Sequence, residues 1–72
     1  MKEYVLLADY KDEQREISLF KDDIIEVLDI SKPEKWLVRT KYSNLVQVIN
    51  SFIIIQFIKS YINKYDEINQ LP

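Results

Sequence analysis

Apolar and polar residues alternate most clearly over residues 16–28. An alternating pattern at 16–20 is followed by a polar stretch at 21–23, and a second apolar run begins at Ile24. A period of two residues is typical of half-buried strands. The pattern therefore predicts two short strands joined by a tight turn, and the rest of the chain is interpreted around them.

One further strand is predicted on each side of this segment. Residues 4–8 form a short apolar run, and residues 36–40 are rich in β-forming side chains. Asp22 lies where a tight turn usually has glycine, and Asp is one of the few other residues that tolerates a left-handed backbone. Pro33 cannot donate to a strand ladder and so marks a loop. These signals predict a mainly β fold.

The composition changes after Lys41, where Ile and Asn become frequent. Part of residues 42–58 is expected to complete the sheet. The β-branched residues at 51–58 are compatible with a strand. An apolar stripe, however, favours a helix over about residues 51–68, capped by Asn50 or Ser51. We therefore predict an SH3-like β domain at 1–50 and a helical C-terminal extension at 51–72. The stripe consists of Ile54, Ile58, Tyr61, Tyr65 and Ile68.

The composition of the 72-residue chain argues against most catalytic chemistry. It contains no His, Cys or Gly, which removes thiol and imidazole catalysis, thiolate or imidazole metal sites and glycine-rich phosphate loops. We expect one small non-enzymatic domain with no cofactor and no metal. A net charge of -2 argues against a nucleic-acid partner. The longest apolar segment is interrupted by polar residues, and no signal peptide is visible, so no membrane partner is expected.

The spacing of several motifs over residues 4–40 resembles that of an SH3 domain. The matching elements are Leu7-Ala8-Asp9-Tyr10, an acidic loop, the segment 16–28 and Trp36-Leu37-Val38-Arg39. Within the family, Val27-Leu28-Asp29 with Pro33 and residues 36–41 looks most like the SH3 domains of obscurin-type giant muscle proteins. The resemblance implies a small barrel, complete or incomplete, and stops after Lys41, where the late proline and tyrosine of the family have no counterpart.

The resemblance also implies a peptide-binding groove. Each groove residue of the family is matched below to its position in this chain. The first groove tyrosine of the family falls on Ala8 and the second on Tyr10. The groove tryptophan falls on Lys35, and Trp36 matches a second, largely structural tryptophan, although it is kept as a candidate contact. The acidic loop residues that would pair with a basic ligand side chain are Asp12, Glu13 and Glu16. The expected peptide-binding set is therefore Tyr10, Asp12, Glu13, Glu16 and Trp36.

These observations predict a protein interaction module, a kind of signalling scaffold or adaptor, with an atypical and weak proline-rich peptide groove. For each candidate residue a plain structural role is the alternative: packing for Tyr10 and Trp36, and solvation for the acidic cluster. Two other functions stay open, namely self-association through the apolar stripe of the C-terminal segment and a truncated SH3 fragment without stable function. A cytoplasmic setting is expected, and the muscle-protein likeness implies a cytoskeletal or sarcomeric one.

Overall fold

The computed structural model describes residues 2–62. Strands account for 54% of these residues, so the predicted mainly β class is confirmed. The strands are β1 (Glu3–Leu6), β2 (Tyr10–Asp12), β3 (Ile17–Leu19), β4 (Ile24–Lys32), β5 (Lys35–Thr40), β6 (Val46–Asn50) and β7 (Ile58–Ser60). One helical turn, α1 (Ser51–Ile54), and a 3-10 turn (Ile55–Phe57) separate the last two strands.

Five of the strands form one antiparallel sheet in the order β6-β5-β4-β1-β7. The other two, β2 and β3, form a separate hairpin that leaves this sheet after β1. Across residues 2–62 the two sheets do not close into a continuous barrel. Among the described residues the main sheet therefore has two edge strands, β6 and β7, with β5, β4 and β1 in its interior.

The strands predicted in the N-terminal part of the chain are present, with shifted ends. The first strand ends at Leu6, so Ala8 lies outside it and is exposed. The turn after β3 has the geometry that its sequence predicts: Asp22 has a φ of 74°. The Asp22 N–H donates to the Leu6 carbonyl at 2.9 Å, and the Phe20 N–H donates to the Asp23 carboxylate at 2.8 Å. These bonds hold the start of β4 against the end of β1.

The C-terminal helix begins where it was predicted but is much shorter. The Asn50 side chain accepts hydrogen bonds from the N–H groups of Phe52 (2.9 Å) and Ile53 (3.2 Å), which is the expected cap. After the 3-10 turn the chain becomes strand β7, so a helix over Ile58–Ser60 is wrong. This stretch pairs with β1, which satisfies backbone groups that would otherwise lie on an open edge. Tyr65 and Ile68 of the stripe lie outside the described residues.

The core lies between the inner face of the main sheet and the β2–β3 hairpin. It is built mainly from Leu, Ile and Val side chains of the strands, and α1 adds one isoleucine. Partly buried aromatic side chains close its margins. Burial of these side chains is the main favourable term for a chain of this size. The most deeply buried members are Leu6, Leu19, Ile25, Val38, Ile49 and Ile54.

Candidate functional site

The β2–β3 hairpin holds the predicted ligand tyrosine in the core. Tyr10 pairs with Leu19 across the hairpin and is only 5% exposed. Its ring packs edge-on against Phe57 of the 3-10 turn, with ring centroids 5.6 Å apart. Burial, and secondarily the charge of Asp12, raise the pKa of the Tyr10 phenol. Tyr10 therefore offers a ligand little more than the edge of its ring, and its role as a contact stays a prediction.

Asp12 closes the turn at the end of the hairpin. Its carboxylate accepts hydrogen bonds from the N–H groups of Gln14 (3.1 Å) and Arg15 (3.3 Å). The Arg15 Nε also lies 3.9 Å from the same carboxylate. Such Asx-type bonds are the usual reason for Asp at the start of a turn. Asp12 thus has a structural role in this hairpin alongside any role toward a ligand.

The two other acidic candidates, Glu13 and Glu16, are exposed at the same turn. The Glu16 N–H donates to the Glu13 carbonyl at 3.4 Å, and Glu16 has a φ of 55°. A left-handed backbone at a Glu is unfavourable, because its Cβ crowds the following carbonyl. The turn therefore presents two carboxylates to solvent from a backbone that is not fully relaxed.

Trp36 lies on the inner face of β5, away from the hairpin turn. It stacks on Tyr4 with ring centroids 5.9 Å apart and an interplanar angle of 29°. The two rings help to line a cleft of about 250 Å³ that also includes Val27 and Leu28. This packing agrees with the structural role that the sequence favoured, and the open side of the cleft leaves part of the indole accessible. Whether Trp36 contacts a ligand stays a prediction.

The structure thus brings four of the five predicted residues onto one hairpin and leaves Trp36 on another element. Sequence reasoning missed Phe57, the aromatic partner of Tyr10. Phe57 lies in an isoleucine-rich segment whose period indicated a helix, so no local signal marked it as a neighbour of the hairpin. Only the pairing of β7 with β1 brings it there.

A larger cleft of about 520 Å³ lies between the hairpin turn and the β4–β5 hairpin. Its floor is a row of register partners across three strands, Asp29 on β4, Leu37 on β5 and Val48 on β6. None of the five predicted contact residues lines it. The remaining lining residues are Arg15, Ser31, Lys32 and Lys35.

Asp29 is the one carboxylate that lines this cleft. The Ser31 N–H donates to its Oδ1 at 2.7 Å. This bond, the Ser31 hydroxyl and the charge of Lys32 lower the pKa of Asp29. Asp29 is therefore ionised at neutral pH, and Lys32, three residues further along the same strand, lies near enough to favour that charge.

Residues 2–62 contain no group of three or more Asp, Glu, His or Cys side chains placed to bind a metal ion. Over the same part of the chain, no helix has the length and apolar character needed to cross a bilayer. The features available for recognition here are therefore two clefts and a hairpin turn.

The chain matches no model of a known protein family, and no curated protein is significantly similar to it in sequence.

Proposed function

We propose that this chain is a non-catalytic protein interaction module of SH3-like architecture, whose groove binds proline-rich peptides only weakly. The observation that carries the proposal is the β2–β3 hairpin, which is separate from the main sheet and carries four of the five predicted contact residues. A rigid scaffold that presents a loop and a cleft is a common arrangement for binding. The motif order over residues 4–40 supports the same interpretation.

Weak affinity for polyproline follows from which side chains border the groove. Polyproline helices bind on exposed aromatic surfaces, since a stiff ligand loses little entropy there. At two of the three positions where the SH3 resemblance expects groove aromatics, this chain has Ala8 and Lys35, both exposed. Tyr10 is nearly covered by its own neighbours. The aromatic surface left for a ligand is therefore small, while Glu13 and Glu16 remain available to a basic side chain.

A cytoplasmic setting belongs to the same proposal. A chain without cysteine does not depend on an oxidising compartment for its stability. The finer cytoskeletal or sarcomeric setting rests on the likeness of residues 27–41 to muscle-protein SH3 domains.

The test is a titration of the 15N-labelled chain with a proline-rich peptide that carries one flanking Arg. We expect small shifts at the hairpin and around Trp36, with a dissociation constant weaker than about 100 µM. A low-micromolar constant, about -8 kcal/mol, would contradict the weak groove. The absence of any shift at millimolar peptide would contradict peptide binding in this groove.

A gain-of-function pair sharpens the same test. Ala8→Tyr and Lys35→Trp restore aromatic side chains at the two groove positions where the resemblance expects an aromatic and this chain lacks one. Because aromatic contacts dominate such interfaces, the double variant should bind the proline-rich peptide about tenfold more tightly. Lys59→Trp, which adds an exposed aromatic on β7, is the matched control and should leave the affinity unchanged. Equal affinity of the double variant and the unchanged chain would count against an SH3-like groove.

A further inference from the structure

Two lysines face each other at the rim of the larger cleft. Lys32 and Lys35 are register partners across the turn between β4 and β5. Like charges directly opposite each other on paired strands are destabilising. Among residues 2–62 the ion pairs are Arg15–Asp12, Arg39–Glu26 and Lys41–Glu3, so neither lysine is neutralised within the described chain.

The turn that carries this lysine pair is held in place by the start of α1. The buried Ser51 hydroxyl donates to the Pro33 carbonyl at 2.7 Å, and the Ser51 N–H donates to the Glu34 carbonyl at 3.1 Å. Bonds from a buried residue restrict how far the turn can move to separate the two charges. The backbone positions of the two lysines are therefore fixed at the rim, and an anion placed between their ammonium groups would relieve their repulsion.

Two of the three residues on the floor of the cleft, Leu37 and Val48, are apolar. Leu37 is half-buried and Val48 is 43% exposed, and they lie directly opposite each other on β5 and β6. An exposed Val on an edge strand next to a cleft has apolar surface available to a ligand. A ligand that suits this site carries a negative charge and an apolar group side by side.

The balance of charge around the cleft is positive. Arg15, Lys32 and Lys35 line it against the single carboxylate of Asp29. The Asp12 carboxylate lies 3.9 Å from the Arg15 Nε and partly compensates its charge. Two lysines and one aspartate then remain around the cleft. Glu34 is exposed in the same turn but does not line the cleft.

We propose that this cleft binds an acidic peptide, with an Asp or Glu side chain between Lys32 and Lys35 and a neighbouring apolar side chain on Leu37 and Val48. The proposal rests on the function proposed above and names the class of partner. A peptide is favoured over a nucleic acid because the chain carries a net charge of -2, and a nucleic-acid surface needs many phosphate contacts.

The test measures binding of labelled ten-residue peptides by fluorescence anisotropy. The probe has two Glu flanking one Leu in a Ser/Thr background, and its partners replace both Glu by Gln or both by Lys. We expect the Glu peptide to bind about tenfold more tightly than the Gln peptide, and the Lys peptide to bind most weakly. Raising the salt concentration should weaken the Glu peptide alone.

Variants of the chain locate the site. The double change Lys32→Gln and Lys35→Gln should weaken binding of the Glu peptide about tenfold, while Val48→Ser should weaken it by a smaller factor. Lys59→Gln, on the opposite edge of the sheet, removes the same charge from an exposed site and should leave binding unchanged. Thermal melts of all variants ensure that folded proteins are compared.

Three outcomes would overturn the proposal. These are equal binding of the Glu and Lys peptides, no effect of the double lysine variant, or tighter binding of a ten-nucleotide single strand than of the Glu peptide. Amide chemical shifts distinguish a failure of this proposal from a failure of the function proposed above. Shifts near Trp36 and the hairpin with the proline-rich peptide, and none at the cleft with the Glu peptide, refute the acidic-ligand proposal alone. The converse pattern refutes only the polyproline groove.

Discussion

Residues 2–41 and residues 42–62 use their apolar side chains in opposite ways. The first region places seven apolar side chains in the core and exposes three large ones, Leu7, Phe20 and Ile30. The second region buries two, Ile49 and Ile54, and exposes eight. Those eight are Tyr42, Leu45, Val46, Val48, Phe52, Ile53, Ile55 and Ile62. High apolar content thus does not by itself lead to burial.

The difference follows from how polar residues are distributed. In the first region polar residues alternate with apolar ones or interrupt them at turns, so each apolar side chain is assigned to one face. In the second region isoleucines are consecutive, and a one-turn helix can direct only one of them inward. The second region therefore contributes one buried apolar residue from β6 and one from α1, and eight of its large apolar side chains are exposed.

The sharpest test of this contrast compares two adjacent isoleucines. Ile54 is fully buried and Ile55 is 58% exposed. Ile54→Ala should destabilise the fold by about 2–5 kcal/mol, because it leaves a cavity beside the sheet. Ile55→Ala should change the free energy of unfolding by less than about 0.5 kcal/mol. Urea unfolding followed by circular dichroism measures both.

A total stability of a few kcal/mol is expected for a domain of this size. The cost of Ile54→Ala is of the same size, so this variant is expected to be largely unfolded. Ile54→Val, with an expected cost of about 1 kcal/mol, keeps the comparison measurable. Equal costs at positions 54 and 55 would show that α1 does not pack as described.

A turn in the first region provides a test of opposite sign. The described residues contain three positive-φ positions, Glu16, Asp22 and Asn44, in a chain without glycine. Asp22→Gly removes the steric cost of the left-handed backbone at a φ of 74° and should stabilise the fold by up to about 1 kcal/mol.

Asp22→Val is the matched opposite, since a β-branched side chain is least compatible with this backbone, and it should destabilise the fold by about 1–2 kcal/mol. Urea midpoints at constant m-value measure both changes. Destabilisation by glycine would show that the Asp22 side chain contributes more than its backbone strain costs.

The smallest effect concerns an ion pair within the first region, between its two ends. The Lys41 Nζ lies 3.1 Å from the Glu3 carboxylate, and this hydrogen bond and charge raise the pKa of Lys41 above 10.5. Because the pKa of Lys41 is higher in the folded chain, the ion pair stabilises the fold fully below the pKa that Lys41 has in the unfolded chain. This stabilisation is lost as the pH rises through the pKa of Lys41 in the folded chain. The stability should therefore fall modestly above about pH 10.5.

The raised pKa of Tyr10 acts in the same direction, because the unfolded phenol ionises first. Glu3→Gln isolates the ion pair: its stability should fall less steeply with pH than that of the unchanged chain. Urea unfolding at about pH 9 and about pH 11 measures the two slopes. Identical slopes would mean that solvent screens the pair completely, as it does at many exposed sites.

The same contrast explains what could be predicted from the sequence. Asp22 and Pro33 are local signals with local causes, so the turns and the strands between them were predicted from neighbouring residues alone. No proline or glycine lies between Lys41 and Leu71, and consecutive isoleucines fit either period. Ile58–Ser60 became a strand because β1 provided an edge for it, which is a cause outside the segment.

The binding surfaces were harder to predict for the same reason. The larger cleft combines Arg15, Lys35 and Val48 with residues of β4, so four separate elements contribute to it. The hairpin carboxylates were recognised as a cluster because they lie within five consecutive residues of the sequence. The one local signal for the cleft was a turn flanked by Lys32 and Lys35, whose significance depends on their being opposite each other in the sheet.

The pairing of β1 with β7 also sets the order in which this chain can fold. Tyr4 pairs with Ser60, so one side of β1 stays open until nearly all of the described residues have been synthesised. The hairpins β2–β3, β4–β5 and β5–β6 join neighbouring segments and can form earlier, whereas closing so long a loop is slow. During synthesis β1 is made before the other described strands and is among the last to be covered. The unpaired N–H and C=O groups on that side of β1 therefore stay open to pairing with another strand until β7 arrives.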